Sequence, residues 1–541
     1  MQLKTIIHND RQIELVLPEL HSNDSNTYTL LVGINGAGKS RLLQTICQTL
    51  LNDSFLKSHT EIDYSKRATN TEYQLNNETY RIFHPERVRL QATVNIKTPD
   101  GLTINKNIVL NASSPTDYFI EGDVDGIDIK GQYQYLLESY FRNDNTVYQC
   151  ISNSNQSYKP IPNLIAVTSS PFDKFPTHES MSDTKYYYRG SRVRKNAGSN
   201  DIKELDYIGQ KFNQLGSSFL NLFLKERTRL DSVKKMFRFL GYNFQFELNL
   251  SLGQQFGFTG NNTNDLLSST ESIRFFKGHN RNTLSSKQKE LINKDLESSF
   301  HRVRDFYKVN IGAFFDKSSN INLKMDLNAE SQDELLDDLI LLANYDILDL
   351  GNVTFTKEVS NTSFLLSDAS SGELCLLFNI LAIAGVIQND SLILIDEPEL
   401  SLHPKWQEDF IPLLCDIFSN YNGCHFVIST HSPNIVSTLP ETNSFLVNLE
   451  SIECKAVSGN SIKNKSIDYQ MTRTFDVNSS NNEYLIRITL EVFFYLSKKK
   501  TLPQGELLEE FQYLVSIKHK VQDSKLLDLI DSCIELGGLY G

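Results

Sequence analysis

The stretch GINGAGKS, Gly33 to Ser40, sets glycines, a lysine and a hydroxyl in the spacing G-x-x-x-x-G-K-[ST]. That spacing is phosphate chemistry. Glycines let backbone N–H groups wrap an anion, and the N-terminus of a following helix adds a favourable dipole. Lys39 brings a point charge for β- and γ-phosphate oxygens, and the Ser40 hydroxyl suits Mg2+. Gly33, Asn35, Gly36, Ala37 and Gly38 make up the rest of the candidate cradle. Far downstream, LILIDEPE ends a hydrophobic run on two acids. Asp396 is read as the metal's carboxylate and Glu397 as the general base that polarises an attacking water. STHS then places His431 after the next apolar run, where an imidazole would meet a γ-phosphate or serve structure alone. Between these motifs lies SDASSGELCLLFNILA, a serine-rich loop opening an apolar helix. Ser371, Gly372 and Glu373 would there offer unpaired N–H groups to an anion, and Ser371 equally suits an N-cap.

These residues need strands and helices to converge. TYTLLVG reads as a strand ending at the glycine loop, and SRLLQTICQTLL as the helix that follows. SLILID is continuously apolar, as a parallel strand covered on both faces is, and CHFVIST reads as another strand, following a helix. The class is α/β. Residues 1–170 are expected to form a lobe with the phosphate loop and a β-rich extension ending in IPNLIAVTSS. Residues 171–350 read as a helical insertion, and 351–445 as a second lobe with the acidic strand. Residues 446–541 read as a helical region for partner or oligomer contacts. There, NEYLIRITLEVFFYLSKKK carries Leu485, Ile488, Leu490, Val492, Phe493 and Leu496. That is more apolar surface than one stripe needs, which reads either as burial by both the head and another chain or as an ordinary core helix.

Composition bounds the partners. The 541 residues hold 53 basic and 66 acidic side chains, a net charge of −13. That argues against a surface evenly coated for nucleic acid. A local exception is KYYYRGSRVRK, with Lys185, Arg189, Arg192, Arg194 and Lys195. It reads either as a phosphate contact with tyrosine stacking or as a solvated loop whose tyrosines pack on the head. Seven cysteines occur without a C-x-x-C pair, no apolar run is long enough for a bilayer, and the N-terminus lacks a signal-peptide stretch. The expectation is a reduced, cytoplasmic protein with no membrane contact.

In order and type, Gly33 to Ser40, Ser371-Gly372-Glu373, Asp396-Glu397-Pro398 and His431 resemble the motifs of ABC-type ATPases. DEPELSLHP, Asp396 to Pro404, is similar to the Walker B and D-loop of the RecF, SMC and OLD branch. The resemblance implies an ABC-type P-loop head, a β-rich lobe plus a parallel-sheet core, with a helical insertion and tail. It implies ATP and Mg2+ as cofactors, and a homodimer or higher homo-oligomer. In such a dimer the signature Ser371, Gly372 and Glu373 cap the nucleotide of the facing copy, while Glu397 and His431 serve hydrolysis. Two departures imply slow turnover or a structural nucleotide. Ala369 and Ser370 replace the usual leucine and glycine, and AVTSSPFDKFP lacks a Q-loop glutamine, leaving Ser169, Ser170 or Asp173 as substitutes.

Within that branch SSPFDKFP, YYYRGSR, SSGEL and DEPELSLHP resemble the Septu-type (PtuA) defence ATPases, including those encoded beside retrons. This implies a sensor that holds a separate HNH effector nuclease in anti-phage defence, with DNA, tRNA or retron msDNA as a further partner. Two other roles remain open. One is a RecF-like DNA-repair ATPase. The other is an OLD-type nuclease subunit, whose Toprim domain needs a glutamate and an Asp-x-Asp pair. Past residue 440 the chain has Glu450, Glu453, Asp528 and Asp531 but no Asp-x-Asp, and Glu450 and Glu453 read as strand or loop acids.

Overall fold

The computed structural model describes residues 1–8, 11–17, 25–34, 36–51, 70–75, 78–83, 89–97, 103–112, 118–121, 147–150, 162–170, 173–176, 186–190, 227–252, 286–306, 321–328, 335–344, 348–463, 465–475, 482–521 and 523–540. At its centre is a seven-stranded sheet. Its order is Tyr186–Arg189, Leu164–Thr168, Leu392–Asp396, His425–Ser429, Thr27–Val32, Ser444–Asn448, Ala456–Ser458. All neighbours run parallel except the last pair, which is antiparallel.

Alternation along each strand divides the core between two faces. Ile393 and Ile395 join Leu30, Ile165, Phe426 and Ile428 in a cluster that also takes in the apolar helix Ser371–Ala384. Leu392 and Leu394 face the other way, with Leu31, Ala166 and Val427, under the helix Lys39–Leu50. Both faces are covered, which is why Leu392–Asp396 is apolar up to its terminal acid.

The other sheets are antiparallel. Five strands run in the order Arg11–Glu14, Gln2–His8, Asn70–Leu75, Glu78–Phe83, Val147–Cys150, and Arg89–Lys97, Thr103–Ala112 and Tyr118–Glu121 form a three-stranded sheet. The stretch 171–350 is not helical throughout. It contributes helices Arg227–Leu240, Ser286–Phe306 and Leu336–Asn344, but also strands Gln245–Leu252 and Ile321–Asp326. Ile321–Asp326 pairs with Gln245–Leu252, which pairs on its other edge with Leu348–Thr356, and that strand pairs in turn with Ser363–Leu365. The cause is period-two burial: Phe246, Leu248 and Leu250 on one strand and Ile321, Leu323 and Met325 on the next all face the core.

Helices Glu483–Lys499, Glu506–Ile517 and Ser524–Tyr540 close the chain around a core of their own. Leu485, Ile488, Val492 and Leu496 are buried against Leu514, Ile517, Leu526 and Ile530. The expected cover from the head is therefore corrected: the tail's own helices bury this stripe. Leu490 stays 38% exposed and Phe494 66% exposed. Among the described residues no helix is long and apolar enough to cross a membrane.

Candidate functional site

Parallel pairing sets Thr168, Asp396 and Ser429 in one row, with Ser429 opposite Leu31 on the strand that feeds the glycine loop. The candidate site gathers at the carboxyl ends of these strands, where open parallel sheets bind ligands. Gly36 has φ 93° and Gly38 φ 96°, both left-handed, and an added Cβ at either would meet nothing within 4 Å. Backbone conformation, not crowding, requires glycine there. Such a turn directs successive N–H groups to one side, as an anion nest does. Helix Lys39–Leu50 begins at Gly38 with no side-chain cap and no acid in its first turn, so its first amides have no side-chain acceptor of its own. Ala37 closes the loop with its N–H on the Ile34 carbonyl at 3.1 Å; Asn35 lies outside the described residues.

Lys39 is 4% exposed. Its Nζ donates to the carbonyls of Gly33 at 2.8 Å and Ile34 at 3.3 Å, and stands 3.3 Å from His431 Nδ1. Burial lowers its proton affinity, although the carboxylates of Glu397, Glu399, Asp396 and Glu450 all pull the other way. Ser40 Oγ donates to Asp396 Oδ1 at 3.0 Å, and Ser429 Oγ donates to the same oxygen. Burial nevertheless pushes Asp396 up to about 6, against both hydroxyls. Glu397 follows with φ 50°, a left-handed turn uncommon for glutamate, its N–H bound to the Ser429 carbonyl at 3.1 Å. Its Oε1 lies 3.7 Å from His431 Nε2. Burial and then the Lys39 charge bring His431 down to about 4, so its imidazole is neutral near pH 7. Accepting from the ammonium at Nδ1 leaves the ring proton on Nε2, toward Glu397.

This donor set fits a magnesium nucleotide. A dehydrated ammonium stands beside a nest of amides, and one hydroxyl–carboxylate pair is in place. Among the described residues no group of three or more His, Cys, Asp or Glu side chains forms a self-sufficient metal cage. One carboxylate plus phosphate oxygens is how Mg2+ is commonly held.

Three contributors escaped the reading from sequence. Ser429 shares the Asp396 oxygen. Glu399 Oε1 accepts the His431 N–H at 2.5 Å, and burial pushes Glu399 up to about 7. Its Oε2 is buried without a hydrogen-bond partner among the described residues. The last acid of DEPE was its visible signal. Glu450, read as a strand or loop acid, does lie in a turn, and its missed contact is Oε1 on the Ile34 N–H.

The signature residues stand apart from the loop. The N-cap is Ser370, not Ser371. Its hydroxyl accepts the Glu373 N–H and its own N–H donates to Glu373 Oε2, a complete capping box. Ser370 and Ser371 are exposed. Glu373 pairs with Lys357 at 2.5 Å, and Lys357 sits 4.4 Å from the Tyr242 ring centroid. Burial acts to raise Glu373, but Lys357 and Ser370 hold it below the usual carboxylate range. Gly372 is buried: a Cβ there would come 3.1 Å from the Trp406 ring and 3.2 Å from the Ser401 carbonyl. Gly372→Ala is accordingly expected to destabilise the protein by about 1 kcal/mol, the overpacking cost less a small helix-propensity gain. A lower urea midpoint that Trp406→Leu partly restores supports the contact; an unchanged midpoint refutes it.

Of the Q-loop candidates, Ser169 Oγ lies 3.2 Å from Cys375 Sγ, and the Ser170 N–H donates to Thr168 Oγ1 at 3.0 Å. Asp173 accepts from the Tyr188 hydroxyl at 2.8 Å. In the basic stretch, Tyr186 and Tyr188 are buried strand residues, which removes them as stacking platforms. Arg189 is described, whereas Lys185, Arg192, Arg194 and Lys195 lie outside the described residues.

Residues 219–437 match the family described as "AAA domain, putative AbiEii toxin, Type IV TA system". "Protein ea59" of Escherichia phage lambda is 37% identical over 89 residues, 16% of this chain and 17% of that protein. "Retron Ec83 probable ATPase" of Escherichia coli is 32% identical over 99 residues, 16% of this chain and 18% of that protein. "Retron Vc95 probable ATPase" of Vibrio cholerae serotype O1 biovar El Tor is 24% identical over 441 residues, 79% of this chain and 70% of that protein. The first two matches thus span less than a fifth of their relatives' length. Among solved structures, the SMC head domain from Thermotoga maritima aligns at TM-score 0.27 and 11% identity, over 85% of this chain and 99% of that one. The match to an AAA-domain family and the two relatives named as probable ATPases support an ATPase. The fold is α/β, a parallel-sheet head with added helices, including those at the C-terminal end.

Proposed function

We propose that this chain binds ATP with Mg2+ at Gly33–Ser40, pairs head to tail with a second copy, hydrolyses ATP slowly, and thereby regulates a separate nuclease. The observation that carries the reading is the convergence of Lys39, Ser40, Asp396, Glu397 and His431 from three strand ends within contact distance of one another. Lys39 is already stripped of water, and exchanges backbone carbonyls for phosphate oxygens without paying a further desolvation cost. Ser40 Oγ and Asp396 would hold Mg2+, which when bound neutralises phosphate charge. Glu397 Oε1 takes the proton of an attacking water. His431 keeps its Nε2 proton to donate at the γ-phosphate, its main chain fixed by Glu399.

The exposed Ser370 and Ser371 at the start of a long apolar helix suit the capping of a nucleotide on a facing copy. The absent glutamine and the Ala369–Ser370 replacement fit slow turnover. Two relatives are named as retron ATPases, and the matched family carries the name of a toxin of a toxin–antitoxin system. These favour an anti-phage role in the cytoplasm, with an HNH nuclease as effector and DNA, tRNA or msDNA as trigger. Calorimetric titration with ATP and Mg2+ tests the core of the proposal. Saturable binding of one ATP per chain is expected, and absence of binding by folded protein would sink it.

A further inference from the structure

Glu450 stands at the mouth of the phosphate loop. The strand before it, Ser444–Asn448, runs parallel to the loop's own strand, with Asn448 opposite Val32. The two chains therefore leave the sheet side by side. Glu450 Oε1 accepts the Ile34 N–H, and a Cβ on Gly33 would lie 3.4 Å from that oxygen. The residue is otherwise exposed, and its charge is felt by Lys39. A carboxylate on a loop amide is the interaction the loop offers a nucleotide, here supplied from within the chain.

The same residue is tied to the C-terminal helices. The Glu450 N–H donates to Asn448 Oδ1 at 2.9 Å, and Asn448 Nδ2 donates to the Thr474 carbonyl at 3.1 Å. Thr474 ends the π-helical turn Gln470–Thr474, a rare geometry frequent at functional sites. From this turn Arg473 lies 3.4 Å from the Tyr513 ring centroid, donates to the Tyr484 hydroxyl at 2.9 Å and pairs with Glu510. Tyr513 closes the joint through its hydroxyl on the Thr472 carbonyl at 3.1 Å. One short chain of hydrogen bonds thus runs from the phosphate loop to helices Glu483–Lys499 and Glu506–Ile517.

We propose that Glu450 sets the affinity of the nucleotide site and is the contact through which the tail senses its occupancy. An entering triphosphate repels the carboxylate, which is exposed and cheap to move. Asn448, bound on one side to the Glu450 amide and on the other to the Thr474 carbonyl, carries the displacement to the 470–474 turn. The inference rests on the ATP-binding reading and deepens it.

Glu450→Gln keeps the acceptor on Ile34 and removes only the charge, so calorimetry is expected to show ATP bound about fivefold more tightly, with a smaller gain for ADP. Hydrogen exchange reads the second half. ATP is expected to change exchange in residues 470–475 and 506–517 of the wild type, and to leave them unchanged in Asn448→Ala even though that variant binds ATP. Asn448→Asp, which keeps size but cannot donate to Thr474, is expected to match Asn448→Ala and covers a folding failure of the latter. Glu450→Gln binding ATP no more tightly than wild type, or an exchange response that survives both Asn448 variants, overturns the inference alone. A wild type that binds no ATP overturns the ATP reading and this inference together.

Discussion

Lys39→Ala is expected to weaken ATP binding about 100-fold, roughly 2.8 kcal/mol, while the protein remains folded. The loss is large because the ammonium is buried and oriented before any ligand arrives, with the Gly33 and Ile34 carbonyls and His431 around it. The structural cost is small for the same reason. Burial already disfavours the charged form of Lys39, so its removal relieves a dehydrated cation while leaving two carbonyls without their donor. Alanine also sits well in the first turn of helix Lys39–Leu50. Calorimetry gives the affinity and circular dichroism checks the fold. Equal ATP affinity in the folded variant would remove the loop from the account.

Glu397→Gln is expected to reduce turnover at least about 100-fold with ATP affinity nearly unchanged, the range for loss of a positioned general base. Glutamine keeps the size of the side chain and its approach to His431 Nε2, 3.7 Å in the native protein, but cannot accept the proton of water. The left-handed turn at residue 397 is equally accessible to both residues, so little refolding of the site is expected. Single-turnover phosphate release measures the step. Equal rates in wild type and variant would show that Glu397 is not the base, and a wild type without turnover would mark the nucleotide as structural.

Much of this site was legible because its parts are local. The glycine spacing, the strand before it and the helix after it occupy one short stretch, and the strands that lead to Asp396 and His431 announce themselves by the apolar runs LILI and FVI. Pairing Ser370 with Glu373 as a capping box was also readable, since both residues lie in SSGE; the choice of Ser371 overlooked the three-residue spacing. Likewise the alternation in QFELNLSL and INLKMD signals strands inside a region whose longer helices dominate the pattern. The rest depends on long-range geometry. Glu450 meets Ile34 across 416 residues of sequence, and no local pattern links them. Nor does composition show that the stripe of helix Glu483–Lys499 is covered by its own neighbours, leaving Phe494 outside.

The central claim is that ATP occupancy pairs two heads, and the mass of Glu397→Gln in solution, with and without ATP and Mg2+, tests it most directly. A base-less site holds its nucleotide, so a facing copy has time to place Ser370 and Ser371 against it. The mass per particle is expected to double on adding ATP, and Lys39→Ala to show no such change. An unchanged mass at saturating ATP would contradict it.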